Sequence, residues 1–346
     1  MLDLTIVIPT YNRRALLHDA VESLRRQTCP SDRYEILIVS DGSSDGTDDD
    51  YAAPLQSPVT RLVRQEKRGF GLAAARNLGL RHAQGRLVAF FDDDMLADES
   101  LAQAHVEAHA RLDENVAVCG RVKLAPDLPQ TPFCQIVLGD ICRLFADNPD
   151  EARFLPFGMA LSWQTSFKRG ALERLGGYDD TFRLYGWEDI EFSYRASQQG
   201  MQFYYEPRAI SFHRDQRNTL ARHAERLRNG SRMAPALFAR HPGLKATIPM
   251  YADKDPIEWR ADSLPLLAKK VARRFFAARP VLGALSRVTP LVERVARHPA
   301  LLRRWYYAVL SNYVFVGYRE GLASTSPQPS QPPSPLRAGE GKGAQG

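Results

Sequence analysis

Apolar residues fall along the first hundred positions as short continuous runs, separated by stretches whose apolar residues recur every three or four positions. Positions 4–9, 35–40 and 60–63 are runs rich in β-branched residues and predict strands, and 87–91 is a fourth. Positions 13–27, 71–82 and 99–112 carry the helical period. Such alternation predicts an α/β fold with a mostly parallel central sheet and right-handed crossovers. After residue 115 the pattern is interrupted by Pro126, Pro129, Pro132 and Pro149. Helical patterns return at 168–175 and 189–199, and strand patterns at 202–205 and 209–213. From about 261 the chain reads as basic helices separated by prolines. Beyond Ser324 it is rich in Pro, Ser, Gly and Gln, the composition of a disordered tail. The expected organisation is a catalytic domain over 1–255, a basic helical extension over 256–322 and a disordered tail over 323–346.

At 346 residues and 44% hydrophobic content the chain suits a globular α/β domain with an appendage. The start, Met1-Leu2-Asp3-Leu4, lacks the pattern of a secretory signal, and no apolar run nears the roughly 20 residues that span a bilayer. Cytoplasmic residence is expected, peripheral at the inner face of the cell membrane if the basic helices bind lipid. Cys29, Cys119, Cys134 and Cys142 form no CxxC pair, so reduced thiols are expected. The net charge of +6 is unevenly spread: 263–310 holds ten basic residues and one acid, Glu293, leaving the remainder net acidic. Near 267–278, Leu267, Val271, Phe275 and Ala278 share one helical face, and Lys269, Lys270, Arg273 and Arg274 fall largely on the other. That pattern suits an anionic membrane surface or a face packed on the domain. Nucleic acid is not expected, because no binding motif accompanies the charge.

In parallel sheets ligands bind beyond the carboxyl ends of the strands. The residues predicted there are Thr10-Tyr11-Asn12, Asp41-Gly42-Ser43 and Asp92-Asp93-Asp94. Three consecutive acids after a buried strand repel one another and are costly to desolvate, so a cation or a hydroxyl network should balance them. A second acidic cluster, Glu188-Asp189-Ile190-Glu191, follows Tyr185-Gly186-Trp187 and has the composition of an acid/base centre beside an aromatic wall. Together they point to a metal-assisted enzyme acting on a polar substrate. Asp48-Asp49-Asp50, equally acidic, sits at a predicted helix start and reads as structural. His105 and His109 lie one helical turn apart without a zinc signature, which predicts an exposed helix face.

Five elements in order resemble family-two glycosyltransferases. Thr5 to Arg13 resembles their opening strand and loop, Asp41 to Thr47 their second signature, and Ala75-Arg76-Asn77-Leu78-Gly79 their third. Asp92-Asp93-Asp94 resembles the DxD motif, and Gly186-Trp187-Glu188-Asp189 the acidic motif near the acceptor. The resemblance covers roughly 3–215 and implies a GT-A fold, a nucleotide-diphosphate sugar donor, a divalent cation (Mn2+ or Mg2+) and inverting transfer. It implies a nucleotide-sugar site of Pro9, Thr10, Tyr11, Asn12, Arg13, Asp41, Arg76, Asp92 and Asp93, with Asp41 suited to a uracil imide. Asp94 and His213 are the implied metal ligands. Asp189 is the implied general base, with Glu188 and Trp187 positioning a saccharide or lipid-linked acceptor of the cell-envelope polysaccharide kind. Trp163, where the family often has a small residue or Asn, should narrow the acceptor pocket.

Other readings stand beside this one. An Asp after a strand is often only a turn former or helix cap. His213 alone reads as a partly buried hydrogen-bonding residue, and Trp187 as core. Gly69-Phe70-Gly71-Leu72-Ala73-Ala74 spells GxGxxA with Asp92 some twenty residues on, as in an NAD(P)-dependent oxidoreductase. That loop follows a poor strand end and leaves Asp41, Asp94 and Asp189 without roles. A catalytically inactive sugar-nucleotide-binding protein is the third class.

Overall fold

The computed structural model describes residues 2–67, 69–142, 148–159, 164–182, 186–214, 219–296 and 298–324. The first half alternates as β1 (Leu4–Thr10), α1 (Arg14–Leu24), β2 (Tyr34–Ser40), α2 (Thr47–Asp50), β3 (Val59–Arg64), α3 (Leu72–His82) and β4 (Leu87–Phe91). There follow β5 (Met95–Ala97), α4 (Leu101–Arg111), β6 (Val116–Leu124), α5 (Gly139–Cys142), β7 (Arg153–Leu155), β8 (Gln164–Lys168), α6 (Arg169–Arg174), α7 (Glu188–Gln198) and β9 (Gln202–His213). The C-terminal part is helical: α8 (Leu220–Ser231), α9 (Ala234–Arg240), α10 (Pro242–Ala246), α11 (Leu264–Phe276), α12 (Arg279–Val295) and α13 (Pro299–Ser324).

The strands form one sheet in the order β3-β2-β1-β4-β8-β6-β9-β5, with β7 also on β9. The first four are parallel, and β8 runs antiparallel between β4 and β6. Strand alternation divides the core in two. Val7, Leu37, Val39, Val88 and Phe90 face one side with α3 and α7, while Ile6, Ile8, Ile36, Ile38 and Phe91 face the other with α1 and α4. Both faces being covered explains why these strands read as continuous apolar runs. The predicted strands at 202–205 and 209–213 are one strand, β9, whose pairing with β6 shifts register between Gly120 and Arg121.

Two expectations are corrected. His105 and His109 are not on an exposed face: they are buried, and both contact the Ser166 hydroxyl, at 2.8 and 2.9 Å. Burial pushes them down to about 4 and about 3, so both are neutral and serve a polar knot beneath β8. The amphipathic segment α11 is oriented opposite to a helix presenting its cations. Lys270 is only 3% exposed, paired with Asp262 at 2.6 Å, and Arg273 pairs with Asp253 at 2.6 Å and donates to Asn312 Oδ1 at 3.0 Å. The apolar stripe Leu264, Ala268, Val271 and Phe275 points outward instead, Leu264 being 82% and Phe275 63% exposed. Internal acids, not a bilayer, satisfy those cations.

α13 is integral to the fold. It packs on α8 with Gly317 and Gly321 against the Arg228 and Arg232 carbonyls, where any side chain would collide with backbone. Glu320 ties the same helices together through Arg228 and Arg232. No described helix is long and apolar enough to cross a membrane.

Candidate active site

A cavity of about 350 Å³ opens at the carboxyl ends of β1, β2 and β4. Into it converge Pro9, Thr10, Tyr11 and Arg13 from the β1 end, Asp41 from the β2 end, and Asp92, Asp93 and Asp94 from the β4 end. The parallel register of β1 with β2 and β4 brings these three loops to one edge. His213 joins them because β5 pairs antiparallel with β9, setting Met95 opposite His213. The Arg214 amide donates to the Asp94 carbonyl at 2.7 Å, which locks the end of β9 against the triad.

The triad is tied down by named partners. Thr10 Oγ1 donates to Asp93 at 2.8 Å, while Arg13 donates to Asp93 at 3.0 Å and to Asp94 at 2.6 Å. His213 Nε2 stands 3.8 Å from Asp94 Oδ2. Burial pushes Asp92 up, Arg76 opposes, and the neighbouring carboxylates of Asp94 and Asp93 add to the rise. Burial would raise Asp94 too, but His213 and Arg13 outweigh it and hold that carboxyl below its usual range. The acid facing the histidine is thus the one of the three held below the usual carboxylate range.

Just past the carboxyl end of β2, Asp41 accepts from Gln65 Nε2 at 2.7 Å and from Lys67 Nζ, which also lies 3.5 Å from the centre of the Tyr11 ring. Gly71 presses on the Asp41 carboxylate so closely that a Cβ there would displace it. The Gly69–Gly71 loop follows β3, not the first strand, and its role here is this close approach. Asn12 does not line the cavity; in left-handed conformation (φ 51°) it accepts from the Ser44 amide at 2.8 Å and joins the first two loops.

Arg76, expected on the nucleotide side, lies behind the cavity wall. It is 2% exposed on the buried face of α3 and does not line the cavity. Its guanidinium lies 3.4 Å from Asp92 and 3.5 Å from Glu188, bridging the two acidic clusters. Neighbouring Asn77 holds the Tyr178 amide and carbonyl, each at 2.8 Å, and so fixes the segment leading toward α7.

Glu188 and Asp189 occupy the first turn of α7, where helix-end amides favour carboxylates. Gly186 and Trp187 precede them in left-handed conformation (φ 89° and 76°), a turn that glycine accepts freely and tryptophan does not. Trp187 is held there by its indole N–H, which donates to the Gly230 carbonyl at 2.9 Å, and by the rings of Phe238 and Tyr251. It therefore anchors α7 and faces a different cavity from the triad. Burial, then adjacent Asp189, push Glu188 up to about 7, with Arg76 pulling the other way. Among the described residues, Glu188 Oε2 and Arg76 Nε have no hydrogen-bond partner. Glu191 is spoken for by Arg195 at 3.0 Å and His241 at 3.3 Å. Trp163 lies outside the described residues.

Sequence reasoning missed Lys67, Phe70, His223 and Arg226, which also line the triad cavity. The first two sit in the loop before α3, read only as a competing glycine motif. The last two come from α8, which has no motif of its own.

Residues 5–176 match the family model described as glycosyl transferase family 2. Validoxylamine A glucosyltransferase of Streptomyces hygroscopicus subsp. jinggangensis is 32% identical over 219 residues, which is 57% of this chain and 52% of that protein. Chondroitin synthase of Escherichia coli is 30% identical over 61% of this chain and 34% of its own length. The uncharacterized glycosyltransferase YfnE of Bacillus subtilis is 26% identical over 61% and 64% respectively. The chain thus spans between 34% and 64% of the length of these curated relatives. Among solved structures, the mannosyltransferase PcManGT from Pyrobaculum calidifontis, in complex with GDP-Man and Mn2+, superposes with a TM-score of 0.58 at 22% identity, over 93% of this chain and 88% of that one. GalNAc-T7 with UDP, GalNAc and Mn2+ gives 0.53 at 18% identity, over 79% and 54%. At these identities the likeness establishes the fold, GT-A. With the five signatures in order on that fold, the matching segment settles the family: this chain belongs to glycosyl transferase family 2.

Proposed function

We propose that the chain is an inverting glycosyltransferase that moves a sugar from a nucleotide-diphosphate sugar to an acceptor hydroxyl. UDP-sugars are the first choice of donor, because Asp41 and Tyr11 sit together on the cavity wall and a carboxylate accepts a uracil imide N–H. The observation that carries the reading is Arg76, which links Asp92 of the donor cavity to Glu188, the chain neighbour of Asp189. Donor and acceptor chemistry then meet across one guanidinium.

A divalent cation, Mn2+ or Mg2+, fits the Asp94 carboxylate and His213 imidazole, an oxygen and a nitrogen donor at the same cavity. Among the described residues no group of three or more His, Cys, Asp and Glu side chains is arranged to hold a metal by itself. Donor phosphate oxygens would complete the coordination, and Mn2+ in the complexes of PcManGT and GalNAc-T7 supports the same choice. Held by Asp94 and His213, such an ion would neutralise charge that develops on the diphosphate leaving group. Arg13 would share in that neutralisation from its place between Asp93 and Asp94. Asp189 takes the acceptor hydroxyl's proton as the oxygen bonds to the anomeric carbon. The bond from that carbon to the diphosphate oxygen breaks on the opposite face, and its electron pair leaves with the nucleotide.

The acceptor is a saccharide or a lipid-linked hydroxyl, and an anionic membrane surface is a fitting partner. α12 likewise exposes Ala284, Val288, Leu291 and Val295 at helical spacing, with Arg279, Arg287 and Arg294 exposed on the same helix. Apolar side chains interleaved with arginine suit a lipid interface.

Three outcomes follow from this reading. Asp189→Asn should lower transfer roughly 10²- to 10⁴-fold while leaving nucleotide binding nearly unchanged, as steady-state kinetics and calorimetry would report. Normal turnover of that variant would shift the base to Glu188. Asp94→Ala should abolish the Mn2+-dependent part of UDP binding, with a milder loss in His213→Ala; binding indifferent to EDTA and to Asp94→Ala would remove the metal. Sedimentation with phosphatidylglycerol vesicles should be lost in the Leu264→Asp, Phe275→Asp double variant, and equal sedimentation of both proteins would exclude α11 as the contact.

A further inference from the structure

A second cavity, of about 650 Å³, lies where α7, α8 and α13 meet. Its walls are Trp187, Ile190, Leu227, Ile248, Tyr251 and Val314, nearly all apolar, with Met250 half-exposed among them. Arg226 lines this cavity and the triad cavity alike, so the two spaces adjoin across one side chain of α8. Gly186 and Trp187, which line it too, directly precede Glu188 and Asp189. The acid-bearing first turn of α7 therefore stands between a polar donor cavity and an apolar one.

Apart from Arg226 at the edge shared with the triad cavity, the polar side-chain atoms in these walls are already committed to the protein. The Ser231 and Tyr251 hydroxyls are 3.1 Å apart, the Thr247 hydroxyl donates to the Leu244 carbonyl at 2.7 Å, and the Trp187 indole donates to Gly230 at 2.9 Å. A sugar ring here would leave buried hydroxyls without partners, which is costly, whereas an apolar body needs none. The volume falls within the range of pockets that enclose a small organic ligand, about 300–1,000 Å³.

We propose that this cavity receives the apolar aglycone of the acceptor, and that the acceptor is an amphiphile with a hydroxyl-bearing polar head and an alkyl or aryl body. The inference rests on the transferase reading and narrows its acceptor class. The head would lie toward Glu188 and Asp189, and the body would pass along Trp187 and Ile190 toward Ile248 and Val314.

Calorimetry with the full chain, in the presence of UDP and Mn2+, tests this with three probes: methyl, phenyl and octyl β-D-glucoside, the last below its micelle-forming concentration. Octyl or phenyl glucoside should bind at least tenfold more tightly than methyl glucoside. A stronger octyl arm assigns an alkyl, lipid-like acceptor, and a stronger phenyl arm an aromatic one. Met250→Glu, at a half-exposed wall position that tolerates charge, and Ile248→Asp should each lose at least tenfold of that preference. UDP–Mn2+ binding should stay within twofold of wild type, which also reports intact folding. Equal binding of all three glucosides, or octyl binding that survives Met250→Glu in a folded protein, would overturn the proposal. Failure of the wild type to bind either UDP or GDP with Mn2+ would instead strike the transferase reading, and the glucoside comparison would stand apart from it.

Discussion

A guanidinium that cannot reach water holds the two acidic clusters of this protein together. Arg76 is held between Asp92 and Glu188; its guanidinium and the Glu188 carboxyl are buried, while Asp92 borders the cavity. Ions buried in this way are stable only as a set: removing one partner of a buried pair typically costs about 3–5 kcal/mol, because the remaining charge is left uncompensated. The distances of 3.4 and 3.5 Å are long for such a pair, and unpartnered Arg76 Nε and Glu188 Oε2 show that the set is incompletely satisfied. A site of this kind is preorganised for a further polar group. Its strain is carried by the surrounding scaffold, the Asn77 clamp on Tyr178 and the left-handed Gly186–Trp187 turn held by α8.

The scaffold explains why the C-terminal helices matter to a site built from the first two hundred residues. α8 supplies the Gly230 carbonyl that anchors Trp187 and supplies His223 and Arg226 to the triad cavity. α13 in turn holds α8 through the close Gly317 and Gly321 contacts and the Glu320 bridge. Removing the helical part would therefore disturb the position of α7 as well as any membrane contact.

The parallel half of the sheet was legible because its strands are buried on both faces and so are apolar throughout, with their polar loops at one end. β8 was not legible. Gln164, Thr165 and Ser166 look like a loop, yet they sit in the middle of the sheet, where Gln164 Nε2 donates to the Arg121 and Ala209 carbonyls, Thr165 contacts Cys119 and Ser166 meets His105 and His109. A central strand whose polarity is answered internally leaves no hydrophobic signal. The same reason hid the burial of the two histidines. In α11 the helical period revealed two faces but not which one the body would take; Asp253, Asp262 and Asn312, distant in sequence, decide that. Motif order located the loops that line one cavity, because spacing along parallel strands maps onto one sheet edge. It did not show that Arg76 lies between two acids behind the cavity, since a cation near such a signature reads equally well as a ligand contact or as a counter-charge.

The central claim is that Arg76 couples the donor carboxylates to the acid-bearing helix. Arg76→Gln, with its fold checked by circular dichroism, measures this through Mn2+-dependent UDP affinity and the rate of sugar transfer in one preparation. The account predicts that both fall, because Asp92 and Glu188 lose their shared counter-charge together. A folded variant that loses only one of the two, or neither, would contradict it.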